Sequence, residues 1–176
     1  MIGPDTQWRE FPLDEVAVIA SNKRLERSKL VDGPTPYVAS SAVNNGVTAF
    51  AGNSHVALRE NVLGVNYNGS VGKAFYHPYW ALFTDDVKTL RLKSGPNNRH
   101  TLLFLATCIE KQRGKYEYGY KFNGARMARQ KILLPVDAQG EPDWSEMETT
   151  MKLIEQRLLR SISHRMGAIH TTWQAP

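Results

Sequence analysis

Met147, Met151, Ile154, Leu158, Ile162, Met166 and Ile169 follow one another at spacings of 4, 3, 4, 4, 4 and 3. Only an α-helix brings residues so spaced onto one face, so this stripe commits the C-terminal part of the chain to one long helix. Met147, Leu158 and Ile169 stand eleven apart, the period of a straight helix or a slightly right-handed coil. Asp143 precedes the stripe with Glu146 three residues on, the pattern of a capping box. Glu146 and Glu148 in the first turn, and Arg157, Arg160 and Arg165 late in the helix, suit its dipole. A helix of roughly 25 residues is ~37 Å long, more than a compact domain of this size needs. The stripe therefore serves one of two ends: it docks the helix on its own domain, or it pairs with a partner helix.

Charge is the second constraint. The 176 residues carry a formal net charge of +5, yet residues 111–133 alone hold seven Lys or Arg against one Glu. The rest of the chain is close to neutral. A concentrated basic patch on a near-neutral body is the electrostatic footprint of a polyanion binder, or else a solvated basic face. A hydrophobic fraction of 41% with 22% charged residues argues against a disordered or membrane-embedded chain. Apolar runs are only a few residues long, and the N-terminus MIGPDTQWREF lacks the basic and apolar regions of a secretory signal. The single cysteine, Cys108, excludes an internal disulfide and a multi-cysteine zinc site. Together these readings predict a cytoplasmic protein.

Between these landmarks the chain reads as short strands with tight connections. Trp8 to Ala20 is a strand or short helix packing Trp8, Phe11, Leu13, Val16 and Val18. Ser21 to Lys29 is polar and basic, the composition of a loop. Asn44-Asn45-Gly46 is a strong turn signal between Tyr37-Val38-Ala39 and Val47 to Ala51, because Asn and Gly tolerate positive φ. Asn68-Gly69 plays the same part between Asn61–Tyr67 and Ser70–Tyr76, and Leu82-Phe83 and Val87–Leu92 are further strands. Leu102, Leu105, Ala106 and Ile109 share one helical face in Arg99–Gln112, and Cys108 in that setting reads as a small core thiol. Lys115 to Phe122 alternates strictly, with Tyr116, Tyr118, Tyr120 and Phe122 on one side, as a strand would. Ile132-Leu133-Leu134 is one more short strand. The expected fold is α+β: a mixed, curved β-sheet domain over residues 1–140 with packed helices, then a long C-terminal helix and tail over 141–176.

The chain offers few catalytic motifs. Gly69-Ser70-Val71-Gly72-Lys73 suggests a phosphate loop, but Tyr67 stands where its first glycine belongs and Ala74 replaces the magnesium-binding hydroxyl. No G-x-G-x-x-G opens a helix, and the five histidines form no i, i+4 pair. Asp86-Val87-Lys88 with Glu60 has the local form of a nuclease site, though Asp85-Asp86 fits a turn equally well. No metal and no cofactor is expected. Binding remains. Lys115, Tyr118, Lys121, Asn123, Arg126, Arg129 and Lys131 are the first candidates, with Asn44, Asn45, Asn68, Ser70 and Lys73 on the two turns as weaker ones. Lys and Arg supply phosphate contacts, Arg pairs with guanine, and Asn pairs with adenine. The tyrosine side is either a strand's core face or a stacking platform.

Several blocks in order carry a resemblance. They are Trp8-x-x-Phe11, Pro36-Tyr37-Val38-Ala39-Ser40, Asn44-Asn45-Gly46-Val47 and Asn68-Gly69-Ser70-Val71-Gly72-Lys73-Ala74-Phe75-Tyr76. Lys115-Tyr116-x-Tyr118-Gly119, Ile132-Leu133-Leu134-Pro135-Val136 and Gly140-x-x-Asp143-Trp144-x-x-Met147-Glu148 complete the series. Over about residues 8–165 the chain resembles a target recognition domain of the DNA specificity subunits of restriction–modification systems. The match is to Type I enzymes and the related enzymes that cut on both sides of their site. The resemblance implies a non-catalytic module that reads one half of a bipartite double-stranded DNA site. Methyltransferase and, in some systems, restriction subunits would be its partners. It also implies that the long helix packs against a counterpart and spaces the half-sites. Full specificity subunits carry two recognition domains and two such helices, whereas one of each is present here. That leaves a half-subunit that dimerises through residues 143–169, or one half of a larger chain. Two other classes stay open: a single-strand or RNA binder using the tyrosines, and a protein-interaction module whose basic patch is incidental.

Overall fold

All five residues of the strand β5 (Val62–Asn66) are buried, which only the middle of a sheet allows. The computed structural model describes residues 2–53, 58–116 and 122–172, the last six of these by their backbone alone. β5 is flanked by antiparallel β6 (Ala74–His77) and β8 (Val87–Leu92), and β2 (Ala17–Ala20) extends the sheet beyond β8. Gly64 lets the neighbours close in at the centre, where a Cβ would lie 3.0 Å from His77 Nε2 and 3.3 Å from the Phe83 ring.

A smaller sheet has β3 (Thr35–Val38) between β4 (Val47–Ala51) and β7 (Leu82–Phe83). Its β3–β4 pair is antiparallel and its β3–β7 pair parallel. The β3–β4 connection ends in Asn44, Asn45 and Gly46 at φ of 52°, 53° and 75°, the consecutive left-handed residues that the Asn-Asn-Gly signal predicts. The third pairing is a two-stranded ribbon of β1 (Trp8–Pro12) and β9 (Lys131–Pro135), antiparallel from Trp8↔Pro135 to Pro12↔Lys131. Pro12 ends β1, and a single turn of helix, α1 (Leu13–Val16), leads into β2. The Trp8–Ala20 stretch is thus strand, turn and strand in succession.

α2 (Arg99–Glu110) covers the four-stranded sheet with the face that its spacing predicts: Leu102, Leu105, Ala106 and Ile109 are buried. They pack with Leu63, Val65, Leu90, Phe122, Met127, Ile132 and Leu134 in one core. Asn98 caps α2, accepting from the His100 and Thr101 amides, and Thr101 Oγ1 accepts in return from the Asn98 amide. Cys108 packs against the same core, its Sγ 3.7 Å from the Leu133 carbonyl. Burial pushes its thiol up to about 12, so it stays protonated and inert near neutral pH.

α4 (Trp144–Thr172) is the long helix that the stripe demands. Asp143 Oδ1 accepts from the Glu146 amide at 2.8 Å, so Asp143 is the predicted cap. Trp144 packs against Gly95, where a Cβ would stand 2.4 Å from the indole, and Nε1 donates to Ser94 Oγ at 3.3 Å. Met147 is fully buried in the domain's own core. Arg99 and His100 each meet the Glu155 carboxylate at 2.8 Å and hold its pKa below the usual range, the His100 hydrogen bond contributing most. Beyond that point every residue from Gln156 to Met166 is exposed, including Leu158 at 60%, Ile162 at 54% and Met166 at 66%. The helix is therefore docked along its first turns and projects along the rest, so only the beginning of the stripe serves to dock it on its own domain. The Ile169 side chain lies outside the described residues.

One buried group makes stability depend on pH. His77 is fully buried, edge-on to Tyr79 and Phe83, with Nδ1 3.3 Å from the Tyr79 hydroxyl and, among the described residues, no partner for Nε2. Burial lowers its pKa to about 4. The unfolded chain takes up this proton near 6.5, so the stability is fully present above that pH and is lost as pH falls toward 4. The loss between pH 7.5 and pH 5 is expected to be about 2 kcal/mol. Urea unfolding at the two pH values measures it, and a His77→Gln variant should lack this component of the difference.

Candidate nucleic-acid interface

The basic segment leaves α2 at Lys111 and turns back on itself. Gln112 precedes the 3₁₀ turn Arg113–Lys115, and a second short helix, α3 (Gly124–Arg129), delivers the chain to β9. Apolar anchors fix the segment: Phe122 and Met127 are buried and β9 sends Ile132 and Leu134 inward. Period-two alternation then turns Lys131 and Leu133 outward. Between these elements and β1 opens a cleft of about 470 Å³. Its rim holds Lys115, Arg126, Arg129 and Lys131, with Glu10 and Leu133; its floor holds Gln112, Tyr116 and Gln130. Among the described residues, four cations on this cleft face one carboxylate. Glu10 meets Lys131 at 3.0 Å, but both side chains are more than half exposed, so the pair contributes little and is easily exchanged.

Four of the first-rank candidates, Lys115, Arg126, Arg129 and Lys131, thus come together in one cleft. Lys115 does so from the end of a 3₁₀ turn, where strict alternation predicted a strand. Tyr116 and Phe122 pack against one another, tilted, with ring centroids 4.2 Å apart, which is the core-side alternative for those two aromatics. Tyr118 and Lys121 lie outside the described residues. Asn123 is exposed and caps α3, its Oδ1 accepting from the Arg126 amide at 3.0 Å.

The second-rank candidates gather elsewhere, on the loops that precede β4 and β6. Asn44 and Asn45 form the exposed β3–β4 turn. Ser40 Oγ donates to the Asn68 carbonyl, which ties the two loops together, and Asn68 Nδ2 donates to Asp86, just before β8, at 3.0 Å. The Ser70 carbonyl accepts from the Lys73 amide at 3.2 Å. Lys73 is paired with Glu110 of α2 at 3.2 Å, and Glu110 also accepts from the Ala74 amide. Arg113 Nε donates to the Val71 carbonyl at 3.0 Å, so the loop of Asn68 and Ser70 joins the segment that carries Lys115.

Known proteins share this scaffold. The Type I restriction modification DNA specificity domain matches residues 5–164. The chain belongs to that family. The specificity subunit S.BcgI of the Type II restriction enzyme BgcI from Heyndrickxia coagulans is 47% identical over 155 residues, 88% of this chain and 46% of that protein. In fold, this specificity domain resembles the Type-I restriction-modification system S subunit from M. genitalium (TM-score 0.61, 18% identity, 94% of this chain and 44% of that one). It also resembles the HsdS subunit from Thermoanaerobacter tengcongensis (TM-score 0.61, 17% identity, 91% and 40%). The chain spans about half the length of the relatives it matches.

Sequence reasoning missed α3 and the two floor glutamines. An Asn followed by Gly-Ala-Arg-Met-Ala-Arg does have the form of a cap before helix formers, and that signal was available for α3. Nothing in the sequence singles out Gln112 or Gln130, because they meet only through the fold. The cap has a measurable weight. Asn123→Ala is expected to lower stability by about 1 kcal/mol and Asn123→Asp to restore it, as read by thermal unfolding.

Proposed function

We propose that this specificity domain reads double-stranded DNA across the basic cleft, as the specificity component of a restriction–modification complex. The observation that carries the reading is the gathering of Lys115, Arg126, Arg129 and Lys131 on one cleft in a chain of this family. Cations on a rim attract the phosphate backbone of any duplex and release its counterions, which supplies affinity and register. The loops of Asn44, Asn45, Asn68, Ser70 and Lys73 join this surface through Arg113 and extend it along the duplex. Residues 1–140 form the reader, and residues 141–176 the arm that spaces it from a second one. The arm pairs through Ile154, Leu158, Ile162 and Met166 with the equivalent helix of a second recognition domain, in another copy or in the same polypeptide. The domain does no chemistry of its own and needs neither metal nor cofactor; a methyltransferase subunit, and a restriction subunit where one exists, act on the DNA it selects. Its place is the cytoplasm, with its substrate.

Two experiments test this. Arg126→Ala with Arg129→Ala should weaken duplex binding and make the dependence of log K on log salt shallower by about one unit for each phosphate that the missing guanidinium no longer neutralises. Fluorescence anisotropy across a salt series reads this, and an unchanged slope removes the cleft from the reading. Leu158→Glu places a charge in the middle of the exposed stripe and should shift sedimentation toward the unpaired species with the circular dichroism spectrum preserved. An unchanged sedimentation profile means that the stripe pairs with nothing.

A further inference from the structure

Cations alone do not distinguish one base from another, so a reader needs groups whose hydrogen-bonding direction is fixed before DNA arrives. The cleft floor holds one. Gln130 is only 6% exposed, and its main chain is held on both sides: its amide donates to the Met127 carbonyl and its carbonyl accepts from Leu13. Its Nε2 donates to the Lys131 carbonyl, a group that can only accept, so the side-chain amide has one possible orientation. Its Oε1 accepts from the Tyr116 hydroxyl, and its second N–H is directed to Gln112 Oε1 at 3.4 Å. Polarity therefore passes along the floor from a backbone carbonyl to Gln112. Gln112 is turned with its oxygen toward Gln130, which leaves its NH2, among the described residues, as the end of the chain of bonds. The Gln112 main chain is also held: its amide donates to Ile109 O at 2.9 Å and its carbonyl accepts from Lys115 at 3.1 Å.

We infer that Gln112 is a base-reading residue of this domain and that it selects a purine; the inference rests on the DNA reading above. The outward NH2 donates to purine N7. The second lone pair of its Oε1 is left to accept from adenine N6, or its second N–H to donate to guanine O6. Each purine thus satisfies two groups of the amide at once, whereas cytosine N4 or thymine O4 satisfies only one, so pyrimidines are disfavoured. Gln130 is the positioning residue. Because its side chain holds Gln112 in advance, the rotamer freedom that a free glutamine would lose on binding is already gone.

The test is base selection from a random duplex pool by the protein and three variants. Gln112→Glu keeps the acceptor that Gln130 needs but turns the outward group from donor to acceptor. One position of the selected motif should then change from purine to cytosine, by about ten- to a hundredfold in relative enrichment, with the other positions unchanged. Gln112→Leu should flatten that same position only, and it answers the question if the added charge of the glutamate abolishes binding. Gln130→Leu should also blur that position while leaving the salt slope as it was, which loss of folding would not do. A wild-type motif that survives intact in Gln112→Glu and Gln112→Leu overturns the inference and leaves the DNA reading standing. Failure of the wild-type protein to select any motif overturns the DNA reading itself, and the inference with it.

Discussion

The pairing of Trp8–Pro12 with Lys131–Pro135 is the constraint on which the surface depends. Seven cations between residues 111 and 133 repel one another, and a segment so charged has no tendency to fold alone. It is held at its start by α2, which buries Leu102, Leu105 and Ile109 on the sheet, and at its end by β9, paired along its whole length with the beginning of the chain. The Leu13 amide closes on the Gln130 carbonyl at 2.9 Å, so the pairing continues one residue beyond the strand. Between these supports Phe122 and Met127 fill the core. With the apolar side chains fixed inward, the cations have only the outside left to them. The basic cleft thus follows from apolar burial rather than from any attraction among its own residues.

The same core holds the root of α4 and nothing beyond it. Trp144 on Gly95, Met147 in the core, and Glu155 between Arg99 and His100 account for the docked part. Gly95 has φ of +78° and no room for a Cβ, so the loop before α2 is shaped to receive the indole. α2 is the shared support: one face lies on the sheet, its N-terminus holds Glu155, and its C-terminus carries Lys111 and Gln112. The arm and the cleft are therefore fixed to the two ends of one helix. A helix rooted this way carries the orientation of its domain along its length, which a flexible linker could not do.

The features legible in the sequence were those set by local rules. Asn44-Asn45-Gly46 and Asn68-Gly69 announced their turns because positive φ narrows the choice of residue. α2 and α4 were legible because several helical turns repeat one apolar pattern. α3 was not: six residues are too few for a period to show, and Asn123, a candidate reader by its type and place in the chain, serves as its cap. The parallel contact of β3 with β7 and the long-range ribbon of β1 with β9 leave no mark on either strand alone. At the cleft, the charged residues were legible because charge is visible without structure. Gln112 and Gln130 were invisible because neither has a partner until the end of α2 meets the start of β9.

That difference in legibility follows the physics of recognition. Affinity for a polyanion is additive and tolerant of position, so it can be carried by a run of Lys and Arg close together in the chain. Discrimination between bases requires a donor or acceptor aimed to within a few tenths of an ångström, and such aim comes from neighbours brought in by the fold. In this domain the aim passes from the Lys131 carbonyl through Gln130 to Gln112, none of it dependent on the cations above. Gln112 also contributes nothing to the apolar core, so a change of residue there alters what is read without loosening what holds the cleft in place. A residue such as Met127, fully buried beneath the same cleft, has no such freedom. Preference and stability are thus carried by different side chains a few residues apart, which lets the preference change while the fold stays.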